Sequence, residues 1–212
     1  MPGTHKDKGK TQGAAIRTFV CLEIPETIRE RIAELQSSLK QIDAHVSWVK
    51  PANIHLTLKF LGDVSPSRIA RVCEAVERAA GSSSPFEVEV NGSGCFPSPR
   101  NPRVLWIGLG DLPHQLRRLH MALEDDLARE GFPREEKRFA PHLTIGRIRS
   151  PHDAARVAEE LIARGFNSET FPAASVIVMR SELHPTGSIY TPQAVIPLGK
   201  IAESSRRKAE EC

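Results

Sequence analysis

The chain has 212 residues, 40% of them hydrophobic, and a formal net charge of +3, which suits one compact unit or two small lobes sharing a core. Much of the basic excess lies at the ends, in Lys6, Lys8 and Lys10 and in Arg206, Arg207 and Lys208, so charge alone does not demand a polyanionic partner. Cys21, Cys73, Cys95 and Cys212 form no Cys-x-x-Cys pair, which argues against a zinc ribbon or disulfide framework; no apolar run reaches a membrane span, and the expected setting is reducing, cytoplasmic and without a membrane.

Residues 1–14 read as a disordered basic tail and 201–212 as a flexible charged tail, around one two-lobed domain at 15–200. Ile16 to Ile24 alternates as a strand closed by Pro25. Ile28, Ile32, Leu35 and Leu39 then recur at helical spacing and make one apolar stripe. Ile54 to Gly62 alternates again, with Ile54, Leu56, Leu58 and Phe60 on one face and His55, Thr57 and Lys59 on the other. Ser65 and Pro66 are placed to start a helix with Ile69, Val72, Cys73 and Val76 inward, stopped by Gly81.

Strands follow at Phe86 to Val90 and Val104 to Leu109, separated by a Gly/Pro/Ser-rich loop from Asn91 to Pro102. Asp111 can cap a helix striped by Leu116, Leu119, Leu123 and Leu127 and ended by Gly131. A strand at His142 to Ile148, a helix at about Asp153 to Arg164 and strands near Ala174 to Arg180 and Tyr190 to Leu198 complete the domain. Strand and helix thus alternate twice, each half carrying an H-L-T strand, which predicts an internal duplication with two similar lobes face to face.

Residues i and i+2 of a strand share a face, so His55 with Thr57 and His142 with Thr144 each present an imidazole and a hydroxyl. Two such strands facing one another form a four-point polar clamp. That clamp suits a phosphodiester: the hydroxyls donate to non-bridging oxygens, one neutral imidazole takes a proton from water, and one imidazolium protonates the leaving oxygen. Chance alone predicts roughly a third of one H-x-T in a chain of this composition. A further match, His184-Pro185-Thr186, precedes Gly187 in turn chemistry and is read as a decoy.

In these motifs the chain resembles the two-histidine phosphoesterase superfamily and, within it, the RNA 2′,3′-cyclic phosphodiesterases formerly called 2′-5′ RNA ligases. The resemblance runs from about Arg17 to Leu198. It rests on R-x-F-V at Arg17 to Val20, W-V-K-P-x-N-I-H-L-T-L-K-F-L-G from Trp48 to Gly62, F-P at Phe96 and Pro97, R-V-L-W-I-G from Arg103, and F-A-P-H-L-T-I-G-R from Phe139 to Arg147.

The resemblance implies a bilobal α+β fold, with two antiparallel sheets facing across a central groove and helices outside. It implies hydrolysis of RNA 2′,3′-cyclic phosphate ends to a 2′-phosphomonoester, with His55 and His142 as acid and base, no metal or other cofactor, and a monomeric enzyme whose partner is RNA or a nucleotide. It marks Arg147 as a candidate phosphate ligand and Phe19 as a candidate base-stacking or groove residue. Strict alternation places Arg147 on the face opposite His142 unless a bulge intervenes, and Phe19 falls in phase with Cys21, where core packing is the alternative. Lys59 shares the histidine face but reads as a solvated lysine. Tyr190 resembles a family position near the groove, with ordinary strand packing as the alternative, and Trp48 and Trp106 read as core.

Three other readings compete. A nucleotide-binding module of the same fold would hold its ligand without turnover. RNA 2′-5′ ligation is the reverse reaction in the same groove, which water at about 55 M opposes unless a 5′-hydroxyl is positioned. A metallohydrolase would need about three protein ligands to zinc, and no H-E-x-x-H or Cys-x-x-Cys is present.

Overall fold

The computed structural model describes residues 14–185 and 187–199; apart from Ala14, the tails read at 1–14 and 201–212 lie outside the described residues. Among the described residues there are nine strands and four α-helices: β1 (Ile16–Glu23), α1 (Glu26–Leu39), β2 (Val46–Trp48), β3 (His55–Val64), α2 (Ile69–Gly81), β4 (Phe86–Phe96), β5 (Val104–Leu109), α3 (His114–Arg129), β6 (Leu143–Ile148), α4 (Ala154–Arg164), β7 (Glu169–Ala173), β8 (Ser175–Glu182) and β9 (Ile189–Pro197). This is the α+β duplicated architecture expected from the motifs.

The two expected sheets are the two halves of one antiparallel sheet, ordered β7-β4-β5-β6-β3-β1-β8-β9, with β2 paired to β6. One position, Leu56 opposite Leu143, joins the halves. Both residues directly follow a motif histidine, so the seam brings the two H-L-T segments side by side.

One face of the sheet is dry. Val20 and Leu22 of β1, Leu56 and Leu58 of β3, and Leu105 and Ile107 of β5 are buried together with the apolar stripes of all four helices in one continuous core, as the 3.6-residue and two-residue periodicities require. The opposite face carries a small cluster of Phe19, Cys21 and Ile177 with Met179 and Tyr190 against it.

The helices are exchanged between the halves. α2 packs on α3, β8 and β9, and α3 is tied to β3 through Lys59 and Glu124. α1 instead reaches the other half, where Gln36 Nε2 donates to the carbonyl oxygens of Val49 and Ile145, at 2.8 Å each. A charged pair between Arg31 and Glu169 fastens α1 to β7. α1, which follows β1, and α3, which follows β5, therefore each cover the half opposite to the strand they follow.

The structure departs from the expected elements in four places. β4 continues to Phe96, through what reads as a loop in sequence, because Gly92 at φ +70° absorbs a register shift between Val90 and Ser93. Ser65 does not cap a helix: its hydroxyl meets that of Ser67 at 3.0 Å, and a short 3₁₀ turn at Pro66–Arg68 precedes α2. Asp111 is likewise no cap, since α3 begins after Pro113 with no side-chain bond to its first turn. β2 and β7 are additional strands, the latter containing Pro172, which is tolerated at a sheet edge.

Candidate active site

His55 opens β3 and His142 immediately precedes β6. His55 Nδ1 lies 2.8 Å from the carbonyl oxygen of Asn53, and His142 Nδ1 lies 2.8 Å from that of Ala140. A carbonyl only accepts, so each Nδ1 carries the proton and each Nε2 is left as the proton-transfer atom. The same i to i−2 bond fixes the tautomer at both motifs.

Beyond the threonines the two strands share a distortion. In β3, Cys21 faces Thr57 but Val20 faces Lys59, leaving Leu58 as an extra residue. In β6, Trp106 faces Thr144 but Leu105 faces Gly146, leaving Ile145 extra. Both extra residues follow the motif threonine, and a bulge at that point inverts the alternation downstream.

The inversion corrects two phase assignments. Lys59 leaves the histidine face and turns into the core, 1% exposed, where Nζ donates to Glu124 Oε1 at 2.7 Å, Glu124 Oε2 at 2.8 Å and the Pro133 carbonyl oxygen at 2.9 Å; it is neither a phosphate ligand nor a solvated lysine. Arg147 is brought onto the histidine face, where it lines the same cavity as Thr144. Phe60 holds the equivalent place in β3 and is 59% exposed, far from the core position that alternation predicts.

The cavity encloses about 790 Å³ between the halves. His55, Thr57, Thr144, Arg147, Phe19 and Tyr190 all line it. His142 does not reach its wall; its ring stands edge-on to Phe96 at 5.1 Å. Four cations, Arg17, Lys50, Arg147 and Arg149, face the cavity, and no carboxylate does among its described lining residues.

Phe19 is 3% exposed, stacked on His55 at 4.7 Å and 27°, with Tyr190 edge-on to Phe19 at 5.1 Å and to His55 at 5.3 Å. Its ring is committed to holding His55, which leaves it little face for a base. Trp48 lines the cavity and Trp106 stands on the groove side beside Thr144, so neither is simple core. Trp106 lies so close over Gly94 that a Cβ there would fall 2.4 Å from the indole, which restricts that position to glycine. His184 does sit in the turn after β8, but that turn walls the cavity, with Asn53 Nδ2 donating to the Ser188 carbonyl oxygen at 2.7 Å. Phe96 is the functional-side residue that strand reasoning missed; its only signal was the F-P match.

A family model of LigT-like phosphoesterases matches residues 22–106 and again 107–190, one match for each motif. The chain belongs to the LigT-like phosphoesterase family. Among relatives, a protein of Methanothermobacter thermautotrophicus named RNA 2′,3′-cyclic phosphodiesterase is 37% identical over 86% of this chain and 99% of its own. One of the same name from Thermotoga maritima is 33% identical over 82% of this chain and 91% of its own. The crystal structure of TT0787 from Thermus thermophilus superposes with a TM-score of 0.72 at 25% identity, covering 87% of this chain and 98% of its own. Escherichia coli LigT in complex with 3′-AMP gives 0.70 at 23% identity, over 88% and 99%, and supports the shared fold.

Within this LigT-like site, burial is the main influence on both imidazoles, and it lowers both pKa values below the ordinary 6.5. The backbone bonds oppose the shift, while Arg29 adds to it at His55 and Arg147 at His142. Should these two imidazoles serve as acid and base, the maximum of kcat/KM is expected between their values, hence on the acid side of about 6.5. Above it the rate falls as the imidazolium is lost; below it the rate falls as the base is protonated. Bound phosphate, an anion, should draw the kcat profile to higher pH. A kcat/KM maximum above about pH 7 would contradict this. The linkage has one sign for both groups: the unfolded chain binds more protons, so their contribution to stability is present above about 6.5 and lost as pH falls through the lowered values.

Thr57→Ala and Thr144→Ala each delete one hydroxyl donor beside the histidines. Each is expected to lower kcat/KM by about 5- to 150-fold, ~1–3 kcal/mol, with the fold unchanged. Initial-rate kinetics on the purified variants measure it.

Proposed function

We propose that this phosphoesterase hydrolyses the 2′,3′-cyclic phosphate at an RNA end to a 2′-phosphomonoester, using His55 and His142 as a paired acid and base without a metal ion. The observation that carries the reading is the repeated imidazole geometry: both Nδ1 atoms are bound to carbonyls, leaving both Nε2 atoms for proton transfer, at adjacent strand starts that also supply Thr57 and Thr144. The carboxylate-free cation lining of Arg17, Lys50, Arg147 and Arg149 supports a polyanionic substrate with more than one phosphate. Among the described residues no cluster of three or more His, Cys, Asp and Glu side chains is arranged to hold a metal.

In the mechanism, the threonine hydroxyls and the Arg147 guanidinium bind the non-bridging oxygens. One Nε2 takes the proton of water as it attacks phosphorus, and the other Nε2 protonates the departing ribose oxygen in line. Arg147 makes no ion pair among the described residues, whereas Arg29 near His55 is held by Glu23 at 2.9 Å and Glu26 at 3.3 Å. Before substrate binds, the Arg147 guanidinium favours neutral His142, and His142 is assigned as base and His55 as the acid at O3′.

A monomer is taken as the acting unit, since both H-L-T segments meet through one pairing within a single sheet. Cys21, Cys73 and Cys95 are free thiols, in keeping with a reducing cytoplasmic setting, and no helix among the described residues is long and apolar enough to cross a membrane.

The test is an oligoribonucleotide ending in a 2′,3′-cyclic phosphate, incubated with enzyme in EDTA and followed by phosphorus NMR. The expected product is the 2′-phosphate alone. A 3′-phosphate, a mixture of isomers, or activity that returns only with added zinc or magnesium would overturn the corresponding part of the proposal.

A further inference from the structure

The most heavily buried charged group lies on the far side of the sheet from the cavity. Lys59, 1% exposed, spends all three N–H donors on Glu124 and the Pro133 carbonyl. Glu124, 7% exposed, also accepts the backbone N–H of Glu135 at 3.0 Å through Oε2. One turn earlier on α3, His120 stacks on Phe139 with ring centres 3.8 Å apart and planes at 17°, its Nε2 3.7 Å from Glu124 Oε1. These contacts link β3, which carries His55 and Thr57, to the segment that delivers His142.

That segment, residues 132–142, has neither helix nor strand to set its course. Its residues 133–138 are exposed, so core burial does not hold them. The ties from Glu124 and Lys59 fix it at Pro133 and Glu135, and His120 seats Phe139. Phe139 directly precedes Ala140, whose carbonyl holds His142 Nδ1 at 2.8 Å. A displaced Phe139 turns that carbonyl, and a turned carbonyl releases the imidazole.

Burying an ion pair is poor value for stability alone. The desolvation of both charges offsets most of their attraction, and apolar residues of similar volume commonly do as well or better. A pair that uses every donor and also clamps two points of an irregular segment has a further consequence: it sets geometry.

We propose that Lys59 and Glu124, which fix the segment at Pro133 and Glu135, and His120, which seats Phe139 by ring stacking, are positioning residues that hold the His142 imidazole in its Nδ1-protonated orientation. This rests on the assignment of His142 as a proton-transfer group. Ground-state orientation of a reacting group is a large kinetic factor, and a misplacement of about 1 Å costs on the order of 10²-fold.

The test is the double variant Lys59→Met/Glu124→Leu, which removes both charges together and leaves no unpaired ion in the core. With adenosine 2′,3′-cyclic phosphate as substrate, kcat is expected to fall about 10- to 100-fold while KM stays within about twofold. Nitrogen-15 NMR of the histidine rings supplies a readout that needs no substrate: His142 should lose its single Nδ1–H tautomer and His55 should keep its own. His120→Ala should reproduce the kinetic effect without touching the ion pair, and His120→Phe, which retains the stacking ring, should not. Unchanged kcat with an unchanged His142 ring in either the double variant or His120→Ala overturns the proposal, as does a fall in kcat with the His142 tautomer intact. An altered His142 ring with full turnover upholds the positioning and instead overturns the catalytic assignment of His142.

Discussion

Replacing His55 or His142 by alanine is expected to lower kcat by about 10²- to 10⁴-fold, the range a positioned proton donor or acceptor contributes. The two losses should be of similar order, because water activation and leaving-group protonation occur in one displacement, and they should be far from additive in the double variant. Neither ring is part of the continuous core, so circular dichroism and thermal unfolding should stay close to wild type. The decisive measurement is turnover of an RNA 2′,3′-cyclic phosphate end by each variant. A variant that retains near wild-type kcat removes its histidine from the chemistry. His184→Ala is the informative control, since that residue lines the cavity from the turn after β8 and not from an H-L-T strand; a comparable loss there would redirect the assignment.

Lys59→Met alone is expected to destabilise the fold by about 3–5 kcal/mol. The substitution leaves the Glu124 carboxylate, 7% exposed, with the Glu135 N–H as its hydrogen-bond donor, and a carboxylate cannot regain water at that depth. Against a typical total of about 5–15 kcal/mol this is a large fraction. For a domain of this size it corresponds to a fall in Tm of roughly 6–20 °C. Adding Glu124→Leu should recover most of the loss, because the stranded charge disappears with its partner. Scanning calorimetry of the single and double variants decides it: equal destabilisation by both would mean that the cost comes from packing and not from the unpaired carboxylate.

The alternation of β1, β3 and β6 and the helical stripes of α1 to α4 were legible in the sequence because burial on one face imposes a strict period. The same reasoning brought His55, Thr57 and Thr144 to one cavity. It failed beyond Thr57 and Thr144, since a bulge adds a residue without marking the sequence, and period-two counting then assigns Lys59, Phe60 and Arg147 to the wrong faces. The clue in hindsight is Lys59 beside three apolar neighbours, a charge that alternation would leave in solvent and that the structure answers with Glu124 from α3. β2 escaped notice for being short, and β7 for its proline. The carbonyl bonds to the two imidazoles were invisible because backbone acceptors have no residue identity. Phe19 was marked by the family resemblance, but its partner was not: whether an aromatic faces a ligand or a histidine depends on a neighbouring strand, here β3.

The exchange of α1 and α3 between the halves has a consequence for how this duplicated architecture came together. Without the other half, part of each sheet left bare by its lent helix would face water, and the lent helix, α1 or α3, would have no surface to cover. An ancestral single repeat with this connectivity could therefore be stable only in pairs, each copy lending its helix to the other, much as partners in a swapped dimer do. Joining the copies in one chain converts a concentration-dependent association into an intramolecular one. It also frees the two copies to diverge, so that Arg147 can stand in one where Phe60 stands in the other, and a site that began with twofold symmetry can grip an asymmetric substrate in one direction.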